Sequence, residues 1–88
     1  MKGRRNQYEI YWEILTFCKM PKSFTSIIHN CNLNSKIAQD YIEFLLHKSY
    51  LMKKEEHDKT TYQKTEKAQE FLVLFSRLYH ELFEKNPY

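Results

Sequence analysis

Glycine is almost missing from this chain, with one in 88 residues, and proline occurs twice. That scarcity argues against a loop-rich or disordered chain. It also removes the Gly-rich phosphate loop, and neither a nucleophile elbow nor a pair of carboxylates in an apolar setting is present. No enzymatic chemistry and no cofactor are therefore expected. Cysteine is limited to Cys18 and Cys31, which lack a C-x-x-C spacing. Reduced thiols in a cytoplasmic protein are the default, with a Cys18–Cys31 disulfide as the alternative. The amino terminus carries no continuous apolar h-region of a signal peptide. No run approaches the ~18 apolar residues of a membrane span, so no membrane partner is expected. Internal repeats and low-complexity segments are also lacking.

What is present is a folded composition, 42% hydrophobic, with seven Tyr, six Phe and one Trp. A small core gains more area per residue from large rings than from Ala and Val. Eighty-eight residues make at most one small domain, and part of the aromatic load is expected at a subunit interface, because chains this small gain stability by pairing. The net charge is +3, from 14 Lys and Arg against 11 Asp and Glu. Such a balance permits nucleic-acid binding without demanding it, so distribution matters more than the sum. Lys2, Arg4 and Arg5 load the amino terminus. Lys53, Lys54, Lys59 and Lys64 load a later segment. An ordinary solvated surface is the alternative for either cluster.

In chain order, residues 1–5 read as a mobile tail. A first helix is predicted from Asn6, a candidate N-cap, to Lys19, with Pro21 closing it. Its apolar residues, Tyr8 to Cys18, cover well over half the helical wheel. A helix with one core to face needs a stripe of roughly 100°, so this helix is expected to touch its own domain and something else. Ser23 caps a short helix, Phe24 to Asn30, and Asn32-Leu33-Asn34 is a tight link. Asn34 then caps a longer helix whose Ile37, Ala38, Tyr41, Ile42, Leu45 and Leu46 form one apolar face. Ser35, Lys36, Gln39, Asp40 and Glu43 lie opposite. Two helices joined by about three residues match helix-turn-helix dimensions. After Lys48, Tyr50 to Lys54 and Thr60 to Lys64 read as strands around a charged turn, Glu56-His57-Asp58-Lys59. Thr65 caps a last helix expected to reach Lys85. Its Ala68, Leu72, Phe75, Tyr79 and Leu82 follow a 4-3-4-3 spacing, a coiled-coil seam.

The run Asn32-Leu33-Asn34-Ser35-Lys36, then Tyr41 to Leu51, resembles archaeal and archaeal-virus winged helix-turn-helix DNA-binding proteins. Tyr62-Gln63-Lys64-Thr65-Glu66-Lys67-Ala68 to Leu72 resembles their entry into the last helix. Two positions depart from the pattern: Ser49 and Ala68 stand where the family usually has Gly. The resemblance covers residues 8 to 83 and implies a homodimer joined through the C-terminal helix and bound to double-stranded DNA. The expected fold is mainly α (α+β): a three-helix core, a β-hairpin wing and a long C-terminal helix. Residues 1-65 are expected to form the winged domain and 66-88 the dimerisation helix, in a single compact unit.

On this reading the recognition helix, about 34-48, enters a major groove, where Ser35, Lys36 and Gln39 meet base edges or phosphates. The wing, about 53-61, places Lys53, Lys54, His57 and Lys59 on the backbone, and Arg4 and Arg5 form a basic arm. Asp40 and Glu43 sit on the same exposed face, where members often carry Lys or Arg. The dimer interface is expected at Tyr11, Leu72, Phe75, Leu78, Tyr79 and Leu82. A metal site at His29 and Cys31 with Cys18 or His47 has no supporting spacing, so no metal is expected. The function expected is a dimeric, nucleoid-associated transcription regulator in the cytoplasm. An architectural DNA binder with little sequence preference and a winged-helix protein-interaction module are the alternatives. No effector is legible.

Overall fold

Four polar residues set where the helices begin. The computed structural model describes residues 5–81. Its elements are α1 (Gln7–Phe17), α2 (Phe24–Cys31), α3 (Ser35–His47), β1 (Leu51–Glu56), β2 (Lys59–Lys64) and α4 (Glu66–Tyr79). The order is that of a winged helix-turn-helix domain. Asn6 accepts a hydrogen bond from the Glu9 N–H at 2.8 Å, Ser23 from Ser26 at 3.2 Å, Asn34 from Ile37 at 2.8 Å and Thr65 from Ala68 at 3.3 Å. Each satisfies one of the N–H groups that the first turn leaves without an intrahelical acceptor. At α1 the cap is reciprocal, since Glu9 accepts from the Asn6 N–H at 2.9 Å. The first helix ends at Phe17, two residues before the expected Lys19.

Two helices end through left-handed residues, Asn32 (φ 55°) and Ser49 (φ 64°). After α2, Leu33 N–H donates to the Ile28 carbonyl at 3.0 Å and Asn32 N–H to His29 at 3.4 Å. After α3, Tyr50 N–H donates to Leu45 at 2.9 Å and Ser49 N–H to Leu46 at 3.0 Å. This paired pattern turns the chain sharply and occupies carbonyls that the last turn leaves open. Asn tolerates the left-handed region well. Ser49 occupies it without the freedom of the glycine usual at that position.

The hairpin pairs Leu51 with Lys64 through to Glu56 with Lys59, leaving a two-residue turn at His57 and Asp58. Both have positive φ, 50° and 62°, the handedness that matches strand twist in short hairpins. The base of the hairpin is anchored elsewhere. Lys22, in the α1–α2 link, exchanges two backbone bonds with Tyr62, at 2.9 and 2.8 Å, and Lys64 N–H donates to the Cys18 carbonyl at 2.9 Å.

The core is built on α1. Ile10, Tyr11, Ile14, Leu15 and Cys18 meet Ile27 and Cys31 of α2, Ile42 and Leu45 of α3, Leu51 of β1, and Ala68 and Leu72 of α4. This accounts for most of the wide apolar face of α1. Tyr11 stacks on Phe44 at 5.0 Å and meets Tyr41 edge-on at 5.2 Å. Ile37, placed by periodicity on the buried face of α3, is 41% exposed. It lies on the flank of that stripe, whose buried residues are Ala38, Ile42 and Leu45. Cys18 and Cys31 are buried free thiols. Loss of hydration pushes the Cys18 thiol up to about 12, with the neighbouring Cys31 adding to the rise, and burial also raises Cys31.

Helix α4 is described to Tyr79, followed by a π-type turn at His80 and Glu81. The expected continuation to Lys85, including Leu82, lies outside the described residues, as does Arg4.

Candidate nucleic-acid interface

Helix α3 is locked in place by its buried side and offers the other. Ser35, Lys36, Gln39, Asp40, Glu43 and His47 are all exposed. With Ala38, Ile42 and Leu45 buried opposite, rotation of the helix about its axis would cost core burial, so the polar face has a fixed aim. Ser35, Lys36 and Gln39 occupy its first two turns, the part that enters a groove first in helix-turn-helix docking. The Gln39 amide donates to Glu43 at 3.4 Å, which links the expected reader to one of the two carboxylates on this face.

Lys53, Lys54, His57 and Lys59 are exposed along the hairpin. The wing lysines have carboxylate neighbours on their own strand. Lys53 Nζ lies 3.6 Å from Glu55 Oε2, and Lys54 Nζ lies 3.9 Å from Glu56 Oε2. Residues two apart on a strand share a face, so one such pair forms on each side of β1. Lys64, grouped with the basic wing by sequence, instead donates to Gln69 of α4 at 2.9 Å. Lys48, at the end of α3, sits 5.6 Å from the Phe44 ring centre, and sequence reasoning did not single it out. Its signal is the ordinary one of a cation four residues after an aromatic on a helix.

Arg5 is placed differently from a mobile basic arm. Its guanidinium pairs with Glu13 of α1 and donates to the carbonyls of Cys31 at 2.7 Å and Asn32 at 3.2 Å. Three acceptors hold the side chain against the turn between α2 and α3.

The residues expected at a dimer interface divide in two. Tyr11 and Leu72 are 6% and 7% exposed and belong to the chain's own core, since α1 is central and the first half of α4 packs on it. Phe75 and Tyr79 continue an aromatic ladder from Phe71, with ring centres 5.8 and 5.9 Å apart, and Phe75 also meets Trp12 at 6.1 Å. Leu74 and Leu78 are 63% and 57% exposed. Together with Tyr8, Phe71, Phe75 and Tyr79 they line an open, mostly apolar groove between α1 and α4.

Among the described residues no group of His, Cys, Asp and Glu side chains is arranged to hold a metal ion. No described helix is long and apolar enough to cross a membrane.

Comparison with known proteins gives the same fold. A family model described as winged helix-turn-helix matches residues 4–83. The structure is similar to Sso10a-2, a DNA-binding protein from Sulfolobus solfataricus, with TM-score 0.76 and 28% identity over 91% of this chain and 87% of that one. It is also similar to the homodimeric winged helix-turn-helix DNA-binding domain of Mb0332 from Mycobacterium bovis (TM-score 0.70, 14% identity, 100% and 98% of the two chains). A third likeness is to F-93 of SSV1 (TM-score 0.68, 11% identity, 98% and 100%). No curated protein matches the chain.

Proposed function

Because the chain belongs to the winged helix-turn-helix family, we propose that it is a homodimeric transcription regulator that binds double-stranded DNA. The observation that carries this reading is the fixed polar face of α3, with Ser35, Lys36 and Gln39 exposed in its first turns beside a hairpin bearing Lys53, Lys54 and Lys59. The likeness to Sso10a-2, which is described as DNA-binding, supports it.

In this proposal α3 enters a major groove. Gln39 pairs with adenine N6 and N7, and Lys36 with guanine O6 and N7 or a phosphate. The wing lysines and His57 lie along the backbone and contribute affinity more than choice of sequence. Asp40 and Glu43 repel phosphates and reward only a groove edge that offers an amino group, such as cytosine N4. The second copy joins through the groove of Tyr8, Leu74, Leu78 and Tyr79, which supplies two reading heads to one duplex. The protein then works where DNA is, in the cytoplasm and associated with the nucleoid.

Selection of bound duplexes from a random pool, followed by anisotropy titration of the winner and of a scrambled duplex, tests the reading. A regulator shows one preferred site and an affinity that falls steeply with salt, by about 0.9 log unit per log unit of salt for each phosphate neutralised. Equal binding to both duplexes replaces it with an architectural role, and no binding to either replaces it with a protein-interaction module.

A further inference from the structure

Arg5 touches no groove-facing residue, yet it joins three parts of the domain. Its guanidinium meets the Glu13 carboxylate in the middle of α1 and two carbonyls, Cys31 and Asn32, that end α2 and begin the turn into α3. The Cys31 carbonyl belongs to the last turn of α2, where no later helical N–H is available to it. A cation there also meets the negative end of the helix dipole. Asn32 is the left-handed residue on which the chain reverses. Only Leu33 and Asn34 separate it from α3, and Asn34 is the cap of that helix. Holding the Asn32 carbonyl therefore holds the angle at which α3 leaves the turn.

We infer that Arg5 is a positioning residue for the recognition helix: anchored by Glu13, it clamps the α2–α3 turn and so sets the aim of α3, without contacting DNA. The inference rests on the DNA-binding reading given above. The chemistry separates it from a basic arm. A guanidinium with three of its five N–H donors held by protein acceptors, in a side chain 30% exposed, would have to give up protein bonds to offer a phosphate its full fork. Glu13 has a role on this view that its charge alone does not suggest. It is an acidic residue whose removal harms binding to an acidic polymer.

The test compares Arg5→Ala, Arg5→Lys and Glu13→Gln with the unaltered protein, using a preferred and a scrambled duplex over a range of salt. For Arg5→Ala, a turn that holds the competent angle about a fifth of the time lowers apparent affinity for the preferred site about fivefold. The scrambled duplex is affected less, and the salt slope is unchanged. Arg5→Lys, which keeps the cation but not the forked donor, recovers part of the loss. Glu13→Gln weakens binding in the same direction. Direct pairing of Arg5 with phosphate gives opposite results: Arg5→Ala then flattens the salt slope by about 0.9 for each phosphate it leaves unneutralised, and Glu13→Gln tightens binding. Either result overturns the clamp.

Amide hydrogen exchange in the DNA-free protein judges the clamp separately. Leu33 and Ile37, whose N–H groups bond to Ile28 and Asn34, exchange faster in Arg5→Ala and in Glu13→Gln than in the unaltered chain, while core amides keep their protection. Unchanged protection at both positions overturns the clamp even if the protein binds DNA. A protein that binds no duplex, yet shows faster exchange there, keeps the clamp and loses the DNA reading.

Discussion

Lys53 Nζ stands 3.6 Å from Glu55 Oε2 on the same face of β1, so the wing lysine proposed to meet phosphate already has an anionic neighbour. Lys54 and Glu56 repeat the arrangement at 3.9 Å on the other face. Exposed pairs of this kind are worth little to folding, but they alter what the wing offers to DNA. In the proposed complex, binding draws each lysine from its carboxylate while the carboxylate itself repels the backbone.

Glu55→Gln and Glu56→Gln are each expected to tighten DNA binding by about twofold at moderate salt, in line with the small free energy of exposed ion pairs. Lys53→Ala is expected to weaken binding and flatten the salt slope by about 0.9. Anisotropy titrations at several salt concentrations measure both. A glutamate variant that binds more weakly would place the carboxylates in direct base contact instead.

The caps give a second expectation, in stability. Asn34→Ala removes the acceptor for the Ile37 N–H and is expected to cost about 1 kcal/mol, a fall in Tm of roughly 4–8 °C for a domain of this size. Ser49→Gly acts the other way. It relieves the left-handed residue at φ 64° and is expected to gain about 0.5 kcal/mol after the greater chain entropy of glycine is set against it. Thermal melts monitored by circular dichroism distinguish the two signs.

Helix α4 offers substitutions that separate pairing from folding. Leu78→Glu, at a site 57% exposed in the single chain, is expected to yield a folded monomer of about half the sedimenting mass of the parent. Leu72→Ala, in the core, is expected to cost about 2–4 kcal/mol and to lower stability whatever the oligomeric state. Sedimentation velocity at micromolar concentration, paired with denaturant melts, checks both. A Leu78→Glu protein that remains dimeric moves the interface elsewhere.

Alkaline pH tests the buried thiol. The ordinary value for Cys18 is 9.0, and burial pushes it up to about 12 in the folded chain. Between those values the unfolded chain has given up the proton and the folded chain retains it, so the unfolded state binds fewer protons and stability falls as pH rises. The contribution is fully present below pH 9 and declines from about 9 to about 12. Urea melts across that range should show the decline, and Cys18→Ala should make it shallower. An unchanged slope in Cys18→Ala removes this thiol as its source.

The caps and the winged domain were legible because their signals are local. Asn6, Ser23, Asn34 and Thr65 each precede a helical pattern and bond three residues onward, which one window of sequence contains. The hairpin turn at His57 and Asp58 was legible for the same reason. The position of Arg5 was not, since its partners Cys31 and Asn32 lie 26 and 27 residues away and no periodicity links them. Nor was the division of the apolar residues between core and groove. Helical spacing places Leu74 and Leu78 together on the flank of a broad apolar face that includes Leu72, but only the packing of α1 decides that Leu72 is covered and the other two are not. Ile37 shows the same limit on α3, where a flank position reads like a core position until its neighbours are known.

The backbone bonds between Lys22 and Tyr62 make the hairpin a ribbon clamped at its base. Such a beam deflects least at Tyr62 and most at His57, its free end. Compliance therefore rises along the wing from root to tip, and a load on the tip passes at the root both to the α1–α2 link and, through the bond from Tyr50 to Leu45, to the end of α3.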